Sequence, residues 1–192
     1  NHMNDVAITF AGKKITYEEL HTRIDEYAKA LYKKGIRSKD VVAMGIANTP
    51  EGIYISYALN KLGAVTSPIN FTYNAYQMRR DLEIINPKMY IGIKDSYKVF
   101  KNASKGMDIE KLNYSVVQSI DDKKLHFLYN VKQIISGNYS FNPNESLNYA
   151  LHKGKNYSKA VFPKYTPGEL SDIMFTGGSS GVHKGVDLTG NG

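Results

Sequence analysis

The chain of 192 residues is 42% apolar and 22% charged, a globular composition that excludes wholesale disorder. It contains no cysteine, which excludes a disulfide framework, a thiolate metal site and a cysteine nucleophile. The formal net charge of +7 is spread over both halves, +3 on residues 1–96 and +4 on residues 97–192, so it suits nucleotides, CoA, nucleic acid or an acidic surface without forming a basic tail. The longest near-apolar run, Val41 to Ala47, is far too short to span a bilayer. No secretory signal pattern opens the chain, and a cytoplasmic location is expected. Asn1-His2-Met3 reads as a cloning scar and is set aside, leaving residues 4–192 as the domain to interpret.

The first elements are a hairpin, with Ala7–Phe10 extended, a turn at Ala11-Gly12-Lys13 and a return at Lys14–Thr16. Thr16-Tyr17-Glu18-Glu19 has the form of a capping box. The helix it opens carries Leu20, Ile24, Tyr27, Ala28 and Leu31 on one face, and Gly35 can end it. Val41–Ala47 reads as a buried strand. Thr49-Pro50 starts a helix whose apolar side is Ile53, Tyr57, Ala58 and Leu62. A short strand at Ala64–Thr66 follows, then a helix over Asn74–Ile85 stopped by Asn86-Pro87, a strand at Met89–Ile93 and a helix over Asp95–Ala103.

Ser115–Ile120 is expected as a further strand. A helix capped by Asp121 or Asp122 follows, with Leu125, Leu128, Val131 and Ile135 as its apolar residues. Residues 137–169 are polar and rich in Asn, Ser and Gly, and read as a loop-rich connection. The basic stretch within it, His152 to Lys159 with Lys164 beyond, reads as a solvated connecting segment rather than a nucleic-acid surface. Ser171–Phe175 reads as a strand, and residues 173–189 as strand, glycine-rich loop, strand. Strand and helix alternate throughout, which predicts an α/β fold: a mainly parallel, doubly wound sheet with helices on both faces and a small N-terminal hairpin.

The chemistry concentrates in Thr176-Gly177-Gly178-Ser179-Ser180-Gly181-Val182-His183-Lys184-Gly185. Glycines let backbone N–H groups approach an anion, hydroxyls donate to phosphate oxygens, and a flexible lysine adds a point charge. A Walker A loop is excluded, because Lys184 is followed by Gly185 and not by Ser or Thr. The dinucleotide fingerprint is also excluded, since no G-x-G-x-x-G is present and the next segment looks extended. The competing reading is a surface turn between two strands. The histidines show no metal-ligand spacing. Asp172 reads as a turn or cap residue ahead of the last strands.

This segment resembles the signature loop of the adenylate-forming enzymes, which include acyl-CoA synthetases, nonribosomal adenylation domains and luciferases. Their pattern is Thr-Ser-Gly-Ser/Thr-Ser/Thr-Gly-x-Pro-Lys-Gly, continued by Val-x-Leu-Thr. Thr176, Gly178, Ser179, Ser180, Gly181, Lys184, Gly185, Val186, Leu188 and Thr189 fit it, while Gly177 stands for the usual serine and His183 for the usual proline. Upstream, Ile15–Leu20, Gly35-Ile36, Asp40–Ala43, Asn48–Glu51, Lys61–Val65 and Pro68–Asn70 resemble the family's N-terminal region in the same order. The resemblance covers residues 7–93 and 170–189.

The resemblance implies an N-terminal fragment of an ATP-dependent carboxylate–CoA ligase that forms an acyl-adenylate and then a thioester. It implies ATP, Mg2+ and CoA as the ligands of the full-length enzyme and a small carboxylic acid as its substrate. The roles it carries over are phosphate binding by the hydroxyls of Thr176, Ser179 and Ser180, by the backbone around Gly178 and Gly181, and by the charge of Lys184. The family's catalytic residues and its Mg2+-binding glutamate lie downstream of this loop, so none is assigned here. The alternative is a stand-alone phosphate- or nucleotide-binding module without catalysis.

Overall fold

The computed structural model describes residues 2–164, 166–176 and 184–190. Strands β1 (Val6–Phe10) and β2 (Lys13–Thr16) form the expected hairpin, and they pair antiparallel around Ala11 and Gly12, both at positive φ. Helix α1 (Tyr17–Lys33) begins where the Thr16 hydroxyl accepts the Glu19 backbone N–H at 3.2 Å. A complete capping box forms instead further along the chain, where Asn74 and Gln77 satisfy each other's backbone groups.

The remaining strands are β3 (Val41–Gly45), β4 (Val65–Pro68), β5 (Met89–Ile93), β6 (Glu110–Tyr114), β7 (Leu170–Thr176) and β8 (Lys184–Thr189). They make one sheet in the order β6-β5-β3-β4-β7-β8. Neighbours are parallel except β7 and β8, which are antiparallel. The helices between them are α2 (Pro50–Lys61), α3 (Ala75–Ile85), α4 (Tyr97–Ala103), α5 (Lys123–Ile135) and α6 (Leu147–Gly154). Helices α1, α2 and α6 pack on one face around Tyr27, Leu31, Ala58, Leu59 and Leu147. Helices α3 and α4 pack on the other around Met78, Leu82 and Phe100. The doubly wound, mainly parallel sheet is the fold the alternating pattern predicts.

Four expectations are corrected. The strand predicted at Ser115–Ile120 is the preceding segment, β6, which pairs with β5 from Glu110 opposite Met89 to Tyr114 opposite Ile93. It sits at the sheet edge, so its outer residues Glu110 and Lys111 stay polar and hide the strand signal. Residues 115–120 form successive turns instead. Within the polar stretch 137–169 lies α6, which buries Leu147 and Ala150. It packs so closely on α1 that a Cβ on Gly154 would come within 2.6 Å of the Ala30 Cα. Helix α5 is capped by Asp122 as expected, yet it turns Tyr129 and Gln133 inward and leaves Leu128 and Ile135 exposed. In α2 the buried face is Tyr54, Ile55, Ala58 and Leu59, with Tyr57 exposed.

Glu145 fastens the polar stretch to the sheet. Burial pushes its carboxyl up, but hydrogen bonds from Ser140 (2.5 Å) and Tyr97 (3.0 Å) and the Lys111 ammonium (3.2 Å) outweigh this and hold it below the usual carboxylate range.

Buried tyrosines tie stability to high pH. Burial pushes the Tyr90 and Tyr54 hydroxyls up to about 12 each, in Tyr54 with help from Glu19 and Glu51 and in Tyr90 against the Ser96 hydrogen bond. Burial also raises Tyr27 and Tyr129. An unfolded tyrosine ionises near 10, where the folded form still holds its proton, so the folded state binds more protons above that pH. The contribution is therefore complete below pH 10 and is lost as pH rises towards 12. Denaturant midpoints measured across this window should fall steadily, and ultraviolet titration should show a tyrosine class that ionises only with unfolding.

Candidate functional site

The parallel strands β6, β5, β3, β4 and β7 end on a common edge of the sheet. In open α/β sheets ligands bind outside that carboxyl edge. Each strand hands over to a connection there: residues 46–49 after β3, 69–74 after β4, the 3₁₀ turn Lys94–Ser96 after β5, and 115–122 after β6. The segment that follows β7 at the same edge is the glycine- and hydroxyl-rich loop.

The ends of that loop are fixed by pairing. Strands β7 and β8 run antiparallel from Leu170 opposite Thr189 to Thr176 opposite Lys184. Thr176 is therefore the last ladder residue before the loop and Lys184 the first after it. The Thr176 hydroxyl donates to the Lys184 carbonyl in a long contact of 3.5 Å, and both residues are exposed. No ion pair engages Lys184 among the described residues. Gly178, Ser179, Ser180 and Gly181 lie outside the described residues. The extended segment after the loop, expected from the sequence, is β8.

The hairpin depends on a joint that the sequence reading did not identify. Strand β7 meets β4 through one ladder pair, Thr66 opposite Asp172. Side chains strengthen it: the Thr66 hydroxyl donates to the Asp172 carboxylate, and the Ser67 hydroxyl donates to the Ile173 carbonyl at 2.9 Å. Ser171 adds a second donor to Asp172 at 2.8 Å. Thr66 and Ser67 are both buried, so their hydroxyls need partners. Asp172 is thus a strand residue that anchors the hairpin, not a turn or cap. The available signal was the hydroxyl pair Thr66-Ser67 inside an otherwise apolar strand.

A second fixed point lies on the same edge. The Tyr114 hydroxyl at the end of β6 accepts the Ala47 N–H at 3.0 Å. Burial raises its ionisation, against the hydrogen bonds from Ala47 and Thr49. The connection after β3 is held in place by this contact. Among the described residues no three His, Asp or Glu side chains come together as a metal site. No helix among them is long and apolar enough to cross a membrane.

These features define an α/β domain in which β7 and β8 set Thr176 and Lys184 on either side of the glycine- and hydroxyl-rich segment, at the carboxyl edge of a mainly parallel sheet. The chain belongs to the AMP-binding enzyme family, whose pattern matches residues 1–192. Among curated relatives, a long-chain-fatty-acid–CoA ligase of Bacillus subtilis is 23% identical over 95% of this chain and 33% of its own length. A CoA ligase of Rhodococcus jostii named for a methyl-dioxo-octahydroindenyl propanoyl group is 25% identical over 94% of this chain and 33% of its own. The chain therefore spans about a third of the length of these relatives.

Solved structures share the fold. Apo MatB from Rhodopseudomonas palustris matches with a TM-score of 0.70 at 21% identity, over 98% of this chain and 32% of that one. The N-terminal subdomain of NpsA from Klebsiella oxytoca, in complex with 3-hydroxybenzoyl-AMSN, matches with a TM-score of 0.69 at 20% identity, over 98% of this chain and 38% of that one.

Proposed function

We propose that the chain is the N-terminal part of an ATP-dependent carboxylate–thiol ligase of the acyl-CoA synthetase type. The observation that carries the reading is the β7–β8 hairpin, which sets Thr176 and Lys184 at the two ends of the loop on the carboxyl edge of the sheet. Membership of the AMP-binding family over the whole chain supports it, as do relatives named as CoA ligases.

In the proposed first step a substrate carboxylate oxygen forms a bond to the α-phosphorus of ATP. The bond from that phosphorus to the bridging oxygen breaks, and pyrophosphate leaves with the electron pair. In the second step a thiolate sulfur, that of CoA, attacks the acyl carbon and AMP departs. The parts of the first step assigned to this chain are electrostatic. Negative charge builds on the β- and γ-phosphates as pyrophosphate departs, and positioned donors lower that barrier most when they are fixed beforehand. Thr176, Ser179 and Ser180 supply hydroxyl donors, the backbone around Gly178 and Gly181 supplies N–H donors, and Lys184 supplies charge. Among the described residues no three His, Asp or Glu side chains converge; Mg2+, which is commonly held by one or two carboxylates together with substrate phosphates, would be bound largely through the ATP.

The test is carboxylate-dependent exchange of labelled pyrophosphate into ATP. The full-length gene product should support exchange with at least one member of a panel of fatty and aromatic acids, whereas the 192-residue chain alone should support none. No exchange with any acid, together with ATP binding by the 192-residue chain, would favour a stand-alone nucleotide-binding module and reject the ligase.

A further inference from the structure

Helix α5 turns an apolar face away from the protein. At about 100° per residue, counted from Lys123, the side chains of Phe127, Leu128, Val131, Ile134 and Ile135 fall between about 20° and 140°. The inward Tyr129 and Gln133 fall at about 240° and 280°. The outer stripe is thus diametrically opposite the buried side. Phe127 is 67% and Ile135 82% exposed, Leu128 and Ile134 are exposed as well, and Val131 is half-buried. None of the five is among the polar anchors of the helix. Tyr129 and Gln133 donate to Asp95, Asn130 accepts from Lys94 at 2.9 Å, and His126 Nε2 meets the Ile120 carbonyl at 2.7 Å.

The charge around the stripe is mainly positive. Lys123 and Lys132 stand at about 0° and 180°, one on either flank, and Lys124 lies at the N-terminal end. All three are exposed, and Lys132 meets Asp95 only at 3.8 Å. Exposed Lys98 adjoins the C-terminal end, where its backbone N–H donates to Asn138 Oδ1 at 3.1 Å. The acids nearby in sequence are Asp121 and Asp122, and Asp122 is engaged as the helix cap by the Leu125 N–H at 3.0 Å. Lysines on the flanks of an apolar face lay their stems along apolar matter and keep the ammonium in water. That is the pattern of a helix lying in a bilayer interface, with its apolar side among acyl chains and its cations at anionic headgroups. A protein partner suits the face less. Lysine is depleted from protein interfaces, and a second copy of the chain would set like charges against each other. Helix α5 also lies between the two stretches that carry the family resemblance, 7–93 and 170–189, and in neither. We propose that this face of α5 docks on the surface of an anionic lipid bilayer, lying on it without crossing it. The proposal uses no residue of β7 or β8 and does not depend on the ligase reading.

Cosedimentation of the full-length gene product with lipid vesicles tests it, with unfolding curves and sedimentation velocity as companions. The protein should sediment with vesicles of equal parts phosphatidylcholine and phosphatidylglycerol, bind phosphatidylcholine alone far less, and bind less at high salt. Phe127→Ser with Ile135→Ser should weaken binding by at least about tenfold, from the apolar surface withheld from the acyl chains. Lys123→Gln with Lys132→Gln should weaken it by about 30-fold, from two headgroup contacts, and decides the matter if the apolar pair does not fold. Absence of binding to the anionic vesicles overturns the proposal, as does equal binding to phosphatidylcholine alone or undiminished binding by the folded variants. Without vesicle binding, a full-length protein destabilised by the apolar pair would show that the rest of the polypeptide covers the face. A dimer lost in that variant would assign the face to a second copy. Each of these results also overturns the proposal.

Discussion

Replacing Gly92 by valine should unfold the protein or come close to it. Gly92 and Tyr90 lie two residues apart on β5 and so share a face of the sheet. On the neighbouring strand their register partners are Gly45 and Ala43. The Tyr90 ring lies along this trough of small residues: a Cβ added to either Gly92 or Gly45 would fall on the ring. The ring cannot move aside freely. It stacks on Phe100 at 4.1 Å with planes 8° apart, its hydroxyl is 2.8 Å from Ser96 Oγ, and it is fully buried. Valine at 92 therefore costs about 1–3 kcal/mol in overpacking, about 1 kcal/mol for the lost hydrogen bond and about 0.5–1.5 kcal/mol for the lost ring pair. Against a total stability of about 5–15 kcal/mol for an ordinary domain, that is a large share. Denaturant unfolding should show the midpoint collapse in Gly92→Val. It should recover in part in Gly92→Val with Tyr90→Leu, because the second change vacates the trough. A Gly92→Val midpoint equal to wild type would mean that the ring does not occupy it.

The same trough shows how much of the fold could be read in the sequence. Met89–Ile93 is recognisable as a strand from its apolar run, and the structure agrees on both ends. That Gly45 and Gly92 face each other, and why, depends on register between strands far apart in sequence, which no local pattern carries. The stop of α1 was legible for a local reason: Gly35 takes positive φ just past its end. The errors have physical causes too. Edge strand β6 pairs on only one side, so its polar residues concealed it. Helix α5 is held by Tyr129 and Gln133, which bond to Asp95 at 2.5 and 3.0 Å. An amphipathic count of its leucines and isoleucines therefore pointed to the wrong face. Helix α6 buries a short apolar patch against α1 in a stretch whose composition looks like loop.

The site divides in the same way. The candidate loop stands out in the sequence because the chemistry proposed for it is local: glycines, hydroxyls and a lysine close together. The supports of that loop do not stand out. Thr66, Ser67 and Asp172 are separated by more than a hundred residues, and only the parallel pairing of β4 with β7 brings them together. Glu51 was visible as part of a resemblance, but its burial and its hydrogen bond from Ser119 depend on contact between segments far apart in sequence.

Lys184 carries the sharpest functional expectation. The residue is exposed at the start of β8 and engages in no ion pair among the described residues. Its removal should change stability by no more than about 0.5 kcal/mol, as for surface substitutions generally. A fall in activity would then report on the nucleotide and not on folding. On the proposed reading, the ammonium stabilises charge that grows on the departing pyrophosphate, so it acts more strongly in the transition state than on bound ATP. Lys184→Ala in the full-length protein should lower kcat by about 100-fold with a smaller change in KM for ATP. Uniform binding would give the opposite division. Lys184→Arg should restore part of the rate, since it returns the charge in a different geometry. Thr176→Ala should cost less, because its hydroxyl is one of several donors and its present contact with the Lys184 carbonyl is long. Steady-state kinetics of the three variants, with unfolding curves as the control, decide the point. Wild-type kcat in Lys184→Ala would remove this lysine from the phosphate site, and the hairpin would then be a structural turn.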